Sequence, residues 1–518
     1  MIKRTLIIVG LLFGLIPPVG PLRARGSSES EAPSALQDIC EAAPCRNQIE
    51  ERLRCYAPPP AHAAPGYALA ILKNDEIFFR SVFGLANLQS EIPITIDTVF
   101  DLASLTKQFT AAGILMLMED PNIKIKGNEG DERLSVGTFL STIFPGFPAS
   151  ANITIGDLLT HQSGLPDYFE LGKRELKKRH KFDVEKAFEK EGSPSWYQNF
   201  EHRRPALEVT NEQVLEMIKN AEPRRRKKPG TIFEYSNSGY VVLAQIIEKL
   251  SGKTYKQFMQ EKIFNPLGMT NTTVLDESVD RTESERIAAL HALPYGRHKN
   301  KYFLMDDYTP LNFVHGDGNI HSTLNDMIIW VKAIDKVVHG LPGALLKPST
   351  LLEAFKPQPL RNNPARAEAE TPPPYGFGWF VATKETRQSM NMQTVSRANA
   401  RSPRQSSRNT RIANEKTIQV VYHGGDWPGF HSYMLYGRID EPGKPTCELT
   451  LVLLSNFEPA EHDRVQNRLC HLARELSRLF WGDDKDVNIL LDDAQIFCLT
   501  KPNPKCPKDL ASCDKSVH

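Results

Sequence analysis

Asp101-Leu-Ala-Ser104-Leu-Thr-Lys107-Gln-Phe-Thr110 runs without a break into the apolar segment Ala111-Ala-Gly-Ile-Leu-Met-Leu-Met118. The apolar run predicts a helix buried in a core. Residues at i and i+3 of a helix share a face, so Ser104 and Lys107 meet at the start of that helix. A serine hydroxyl is a poor nucleophile until a neighbouring base takes its proton. A lysine serves as that base when burial or nearby positive charge weakens its hold on the proton. A helix N-terminus adds partial positive charge and spare backbone N–H groups, half of an oxyanion hole. The plain alternative makes Ser104 a helix cap and Lys107 a solvated first-turn residue. Ser-x-x-Lys is a common pattern and recurs at Ser512 and Lys515, in a polar tail with no apolar run behind it.

Acyl transfer needs a second proton carrier and an oxyanion donor besides the lysine. Tyr235-Ser-Asn237 follows Pro229-Gly230 and leads into the apolar run Val241–Leu250, with Gly252 as its stop. This places a phenol and an amide on a loop held against a buried helix. Tyr235 then takes the Ser104 proton beside a protonated Lys107, and Asn237 orients Lys107 or a substrate carbonyl. Tyr197-Gln-Asn199 repeats the pattern in a charged, proline-flanked stretch without such support. His423-Gly424-Gly425 closes the apolar stretch Ile418–Tyr422 and precedes Asp426. Two glycines at a strand end let a substrate approach the backbone. The N–H of Asp426 becomes the second oxyanion donor, beside that of Ser104, and His423 a polar or partly charged neighbour of the substrate.

Together these segments resemble the serine β-lactamase and penicillin-binding-protein superfamily, nearest to class C β-lactamases and the related esterases and D-amino-acid peptidases. Its signature is Ser-x-x-Lys, then Tyr-x-Asn, then Lys-Thr-Gly or a His-x-Gly variant, in the order found here. Leu158-Leu-Thr-His-Gln-Ser-Gly-Leu-Pro166, Asn265-Pro-Leu-Gly-Met-Thr270, Tyr375-Gly-Phe-Gly-Trp379 and Leu454-Ser-Asn456 are similar too, and the likeness covers residues 62–483. The resemblance implies an α+β fold: an antiparallel sheet flanked by helices, beside a mostly helical lobe, with the site between them. It implies an acyl-enzyme on Ser104, a small-molecule or short-peptide substrate, no cofactor and no metal. The departure is His423, where a β-lactam specialist carries a fixed positive charge. An esterase or a peptidase acting on another amide needs that charge less. A β-lactamase or D-Ala-D-Ala carboxypeptidase is the second reading, and a catalytically silent binding protein on the same fold is the third.

The rest of the chain frames this body. Lys3 and Arg4 before the apolar run Leu6–Ile16 read as a secretory signal ending at Ala24, so the expected location is periplasmic or secreted, with no stable membrane span after cleavage. A linker with one short helix, Leu36–Leu53, fills 25–60. The catalytic region follows at 61–485, with a sheet lobe from 61–100 and 375–485 and a helical lobe from 101–374. A basic insertion at 384–416 and a cysteine-containing tail at 486–518 lie outside the usual body. Eight cysteines fit an oxidising compartment, with staples between the two ends expected. The 63 basic and 62 acidic residues leave a net charge of +1. With no aromatic interleaving in the basic insertion, nothing points to nucleic acid. Gly66–Leu72 and Ile77–Val82 read as a hairpin turning at Asn74-Asp75. Ile153–Thr160 reads as a helix, His431–Tyr436 and Leu449–Ser455 as strands, and Leu469–Trp481 as a closing helix.

Overall fold

A computed structural model describes residues 64–126, 130–145, 152–172, 210–221, 227–275, 289–298, 301–305, 314–359, 375–383 and 417–458, with 49–50, 53, 147, 286 and 476 besides. The signal, most of the linker, the basic insertion, the tail and most of the closing helix lie outside these residues. So do all the cysteines except Cys447.

The strands used below are β1 (Tyr67–Lys73), β2 (Glu76–Phe83), β3 (Val99–Asp101), β4 (Ile320–Thr323), β5 (Phe380–Thr383), β6 (Thr417–Trp427), β7 (Phe430–Asp440) and β8 (Cys447–Ser455). The helices are α1 (Thr106–Glu119), α2 (Ile155–Leu159), α3 (Asn211–Asn220), α4 (Asn237–Ser251) and α5 (Leu324–Val338). A six-stranded sheet runs β5-β6-β7-β8-β1-β2, every neighbour antiparallel. The expected hairpin is β1–β2. Asn74 and Asp75 turn it with φ of 49° and 64°, the pair of positive φ values that matches the twist of a tight hairpin. The chain therefore begins the sheet, leaves for several hundred residues, and returns to finish it.

The sheet is buried on both faces, and the period-2 alternation of its strands sorts its side chains between two cores. Ala68, Ala70 and Leu72 of β1, Val421 of β6, and Val452 and Leu454 of β8 face the larger core, shared with α1, α4 and α5. Tyr67, Leu69, Ile71, Val420, Leu451 and Leu453 face the smaller one, where helical Ile49, Leu53 and Leu476 pack. Helices thus cover both faces, as the resemblance implied. α1 is buried from Thr106 to Leu115, on every side, which is why its sequence lacks an amphipathic stripe. α4 ends as expected at Gly252, φ 69°.

Asn456 ties the two ends of the domain together. Its Oδ1 accepts from the N–H of Gly66 at 2.8 Å, and its Nδ2 donates to the carbonyls of Leu85 at 3.1 Å and Leu293 at 3.0 Å. Asn456 is fully buried, so removing its amide strands backbone groups where water does not reach. Asn456→Ala is expected to cost roughly 2–5 kcal/mol, read as a lowered midpoint in urea or heat. A loss below about 0.5 kcal/mol would show that the tie is not structural.

Candidate active site

Ser104 sits in a single 3-10 turn, Ala103–Leu105, that feeds directly into α1. Four contacts clamp this turn. The N–H of Leu102 donates to Ile320 O on β4, and the Ser432 hydroxyl of β7 donates to Leu102 O at 2.6 Å. Thr106 Oγ1 accepts from Ile320 N–H, and Asp101 Oδ1 accepts from Ala103 N–H at 2.7 Å. Ala103 has φ 47°, a left-handed conformation that costs a residue with a Cβ about 1–2 kcal/mol. The surrounding contacts hold it there and leave Ser104 half-buried with its hydroxyl inward.

Lys107 is fully buried one turn on. Its Nζ donates to Ser104 Oγ at 3.0 Å, to Asn237 Oδ1 at 2.8 Å and to the Asp317 carbonyl at 2.8 Å. Three acceptors match the three donors of an ammonium group. The Tyr235 ring centroid lies 5.0 Å from the same nitrogen and that of Tyr240 5.6 Å. The structure thus brings together Ser104, Lys107, Tyr235 and Asn237.

The platform for Tyr235 and Asn237 is the loop after α2. The N–H groups of Lys227, Gly230 and Glu234 donate to the carbonyls of Gly164, Gln162 and His161, zipping two loops side by side. Gly164, at φ 66°, has no room for a side chain: a Cβ would stand 2.2 Å from Lys227 O. Asp167 Oδ2 accepts from Asn237 N–H at 2.7 Å and so fixes the first residue of α4. Asn237 then aims its amide at Lys107.

β6 forms the opposite wall. β5 pairs with β6 only up to Tyr422, so beyond that point one edge of β6 lies open toward the Ser104 turn. Gly425 rests against it: a Cβ there would stand 2.1 Å from Leu102 O and 2.2 Å from Ser432 Oγ. Gly424 and Asp426 are exposed at this edge, and the Asp426 carboxylate faces His431 Nδ1 at 3.2 Å. His423 lies in the same strand. It is 2% exposed, its Nδ1 bonds to the Gly424 carbonyl at 2.7 Å, and the Tyr375 hydroxyl meets its Nε2 at 3.1 Å. Burial, helped by Lys107, pushes its pKa from 6.5 down to about 3. His423 is thus a neutral member of the wall rather than a charge presented to the cleft.

Sequence reading passed over several groups. His161 stacks on Tyr235 with centroids 4.1 Å apart and accepts from Ser236 N–H through Nδ1 at 3.1 Å. Burial first, then Lys107 and His423, hold its pKa well below the ordinary value. Asp317 gives its side chain to the Tyr168 hydroxyl at 2.9 Å, and burial raises it to about 6. Their available signal was the polar, glycine-punctuated character of His161–Asp167 and His315–Asn319.

One cluster among the described residues has metal-ligand character. Asp335, His339 and Glu448 place ligand atoms within 4.8 Å of one another. Glu448 pairs across the sheet with Arg438, seven residues along β7 from His431, so the cluster lies roughly 20 Å from the His431 end of that strand. Arg438 Nη1 at 3.3 Å and the Tyr436 hydroxyl at 2.9 Å already engage Glu448. Among the described residues no helix is long and apolar enough to cross a membrane.

A serine and a buried lysine thus meet beside a Tyr-x-Asn loop, next to a sheet flanked by helices. The chain belongs to the Beta-lactamase family, whose model matches residues 46–474. It is similar to penicillin-binding protein 4* of Bacillus subtilis, 29% identical over 434 residues that cover 82% of this chain and 74% of that protein. It is also similar to the D-aminopeptidase of Gluconobacter oxydans, 26% identical over 62% of this chain. That match spans only 49% of the D-aminopeptidase, about half its length. The D-amino acid amidase of Ochrobactrum anthropi, solved with L-phenylalanine amide, shares the fold at a TM-score of 0.51 and 21% identity, covering 87% of this chain and 98% of that one.

His423 gives a sign that can be checked. The unfolded chain takes up a proton on this residue below about 6.5, and the folded protein resists it down to about 3. This group therefore withdraws stability as pH falls through that window, at up to about 1.4 kcal/mol per pH unit. Chemical denaturation of wild type and His423→Gln between pH 7.5 and 4.5 should show the wild type losing ground relative to the variant as pH falls. Parallel curves would mean that His423 is charged in the fold.

Proposed function

We propose that the protein is an exported serine hydrolase that forms an acyl-enzyme on Ser104 and cleaves an ester or amide bond. The observation that carries this is the convergence on Lys107 Nζ of Ser104 Oγ and Asn237 Oδ1, the latter from a motif 130 residues away. The Ser104 hydroxyl is one of three acceptors of this buried nitrogen and the residue that carries it is only half-buried. A nucleophile so placed gains a proton path.

In this reading Ser104 Oγ bonds to the substrate carbonyl carbon as its proton passes to the oxygen of Tyr235, which acts as a phenolate beside the Lys107 ammonium. The carbonyl π electrons move to oxygen, and the N–H groups of Ser104 and Asp426 receive the resulting oxyanion, the latter from the open edge of β6. The tetrahedral intermediate collapses and expels the alcohol or amine, which takes the proton back from Tyr235. Water repeats the sequence on the acyl-enzyme and frees Ser104. Asn237 holds Lys107 between the two. Lys107 as a triple donor favours Tyr235 as the immediate base, because the lysine's hydrogens are already directed at acceptors.

Two observations bear on the alternatives. The neutral, buried His423 offers no fixed charge for a substrate carboxylate, which disfavours a specialist for β-lactams or peptide C-termini. The names of the D-aminopeptidase and penicillin-binding protein relatives support acyl transfer from an amide. Location outside the cytoplasm is supported by the signal-like N-terminus and the cysteine content.

Hydrolysis of a chromogenic short-chain ester, with mass spectrometry of the trapped adduct, tests the reading. Ser104→Ala should reduce kcat/KM by about 10³-fold or more and abolish the adduct. Equal rates in both proteins remove Ser104 from the chemistry. Gly425→Ala, which pushes on Leu102 and Ser432 and shifts the oxyanion wall, should cost about 100-fold in kcat while the protein stays folded. Unchanged kcat in that variant would place the oxyanion site elsewhere.

A further inference from the structure

Ala103 is the strained link in the Ser104 turn. It is buried and carries a Cβ, yet it holds φ 47°, and such a conformation persists only where the neighbours over-determine it. Among the described residues the side chain that bonds its backbone is that of Asp101, whose Oδ1 accepts from Ala103 N–H at 2.7 Å. On its other side Ala103 meets the oxyanion wall, since a Cβ added at Gly425 would stand 3.2 Å from the Ala103 Cβ. A slip at Ala103 therefore shifts Ser104 relative to the β6 edge.

Asp101 acts from a buried position, at 5% exposed. Among the described residues His321, opposite it in the β3–β4 register, is the one group within ion-pair range, with Nε2 3.8 Å from Asp101 Oδ2. The protons behind it follow from bond directions. A carbonyl oxygen only accepts, so His291 Nδ1, 2.6 Å from Ala292 O, carries a hydrogen. Its Nε2 is then a lone pair, and His321 Nδ1 at 2.7 Å must donate to it. Ala292 is fixed in turn, its N–H donating to Val99 O of β3 at 2.9 Å. His321 Nε2 and Asp101 Oδ2 are left facing each other with at most one proton between them. Burial places that proton on Asp101: it raises the carboxyl to about 7 and holds each imidazole near 3. The other charged or titratable neighbours are already engaged. Asp317 and Tyr168, across the small recess that Asp101 lines, bond to each other. Lys107 of α1 directs its hydrogens to Ser104, Asn237 and the Asp317 carbonyl. His431, near the start of the β7 strand packed on β3, faces Asp426.

We propose that Asp101 is a positioning residue for the nucleophile: its carboxylate, facing His321 across one exchangeable proton, holds the Ala103 turn and so aims Ser104 at the substrate carbonyl. The inference rests on the serine-hydrolase reading and deepens it. An ionised acceptor makes the stronger bond to an N–H, so the turn tightens as Asp101 loses its proton.

Two variants test it on the chromogenic ester. Asp101→Ala removes the acceptor and should lower kcat by about tenfold or more, with KM changed by less than about threefold. Asp101→Asn keeps an acceptor at Oδ1 and should recover most of that loss. Wild-type kcat should rise with pH through about 7 as Asp101 ionises, and Asp101→Asn should lack this rise. An unchanged kcat in Asp101→Ala, a loss carried by KM alone, or the same rise in Asp101→Asn overturns the proposal. Hydrogen exchange of the amides of 103–106 reads the turn without turnover. At a fixed pH it should be faster in Asp101→Ala than in the wild type, with Asp101→Asn close to the wild type. Equal exchange in all three proteins overturns the positioning role. Faster exchange in Asp101→Ala, when the wild type shows no Ser104-dependent hydrolysis, supports that role and sinks the hydrolase reading instead.

Discussion

The structure depends on one buried ammonium. Taking a lysine head group out of water costs on the order of tens of kcal/mol if nothing replaces its hydration, and Lys107 has no exposure at all. Its hydrogens must therefore find acceptors, and they find them on three different segments: the turn before α1, the first residue of α4 and the loop leading into β4. Each acceptor is in turn fixed by another contact, Asn237 by Asp167 and the Ser104 turn by Ile320 and Ser432. Satisfying one charge thus brings Ser104, the Tyr235 loop and the sheet edge to a common point. The field of that charge also keeps His161 and His423 neutral, beyond what burial does alone.

Much of this was legible in the chain. The Ser104–Lys107 pair stood out because an apolar run follows it; α1 is buried on all sides, Lys107 with it, while Ser104 just before it stays half-buried. Apolar runs at 66–72, 418–422 and 449–455 foretold strands, and the hairpin turn at Asn74-Asp75 was visible from residue type. Tyr235 and Asn237 were separable from their decoy by the helix that follows them.

The remainder was not legible for physical reasons. The environment of His423 is set by Tyr375, 48 residues away, so whether it is presented or buried is a tertiary property. The backbone carbonyl of Asp317 that holds Lys107 has no sequence signature, because every residue carries a carbonyl. The stack of His161 on Tyr235 joins residues from two loops whose alignment depends on backbone bonds between 161–164 and 227–234. The His291–His321 pair spans 30 residues and acquires its proton order only from the direction of a carbonyl.

Asn456 carries a consequence for the birth of the chain. It and the strand before it complete a sheet begun by Gly66 and Tyr67, a separation of 390 residues. A ribosome adding about 5–20 residues per second needs roughly 20–80 s to cover that distance. Throughout that interval the β1–β2 hairpin has one paired edge and one bare edge, with apolar side chains on both faces, which is a template for pairing with the wrong strand. The nascent protein thus has a built-in waiting period in which its first strand must be shielded by something other than its own partner. Any product truncated before residue 455 would never leave it.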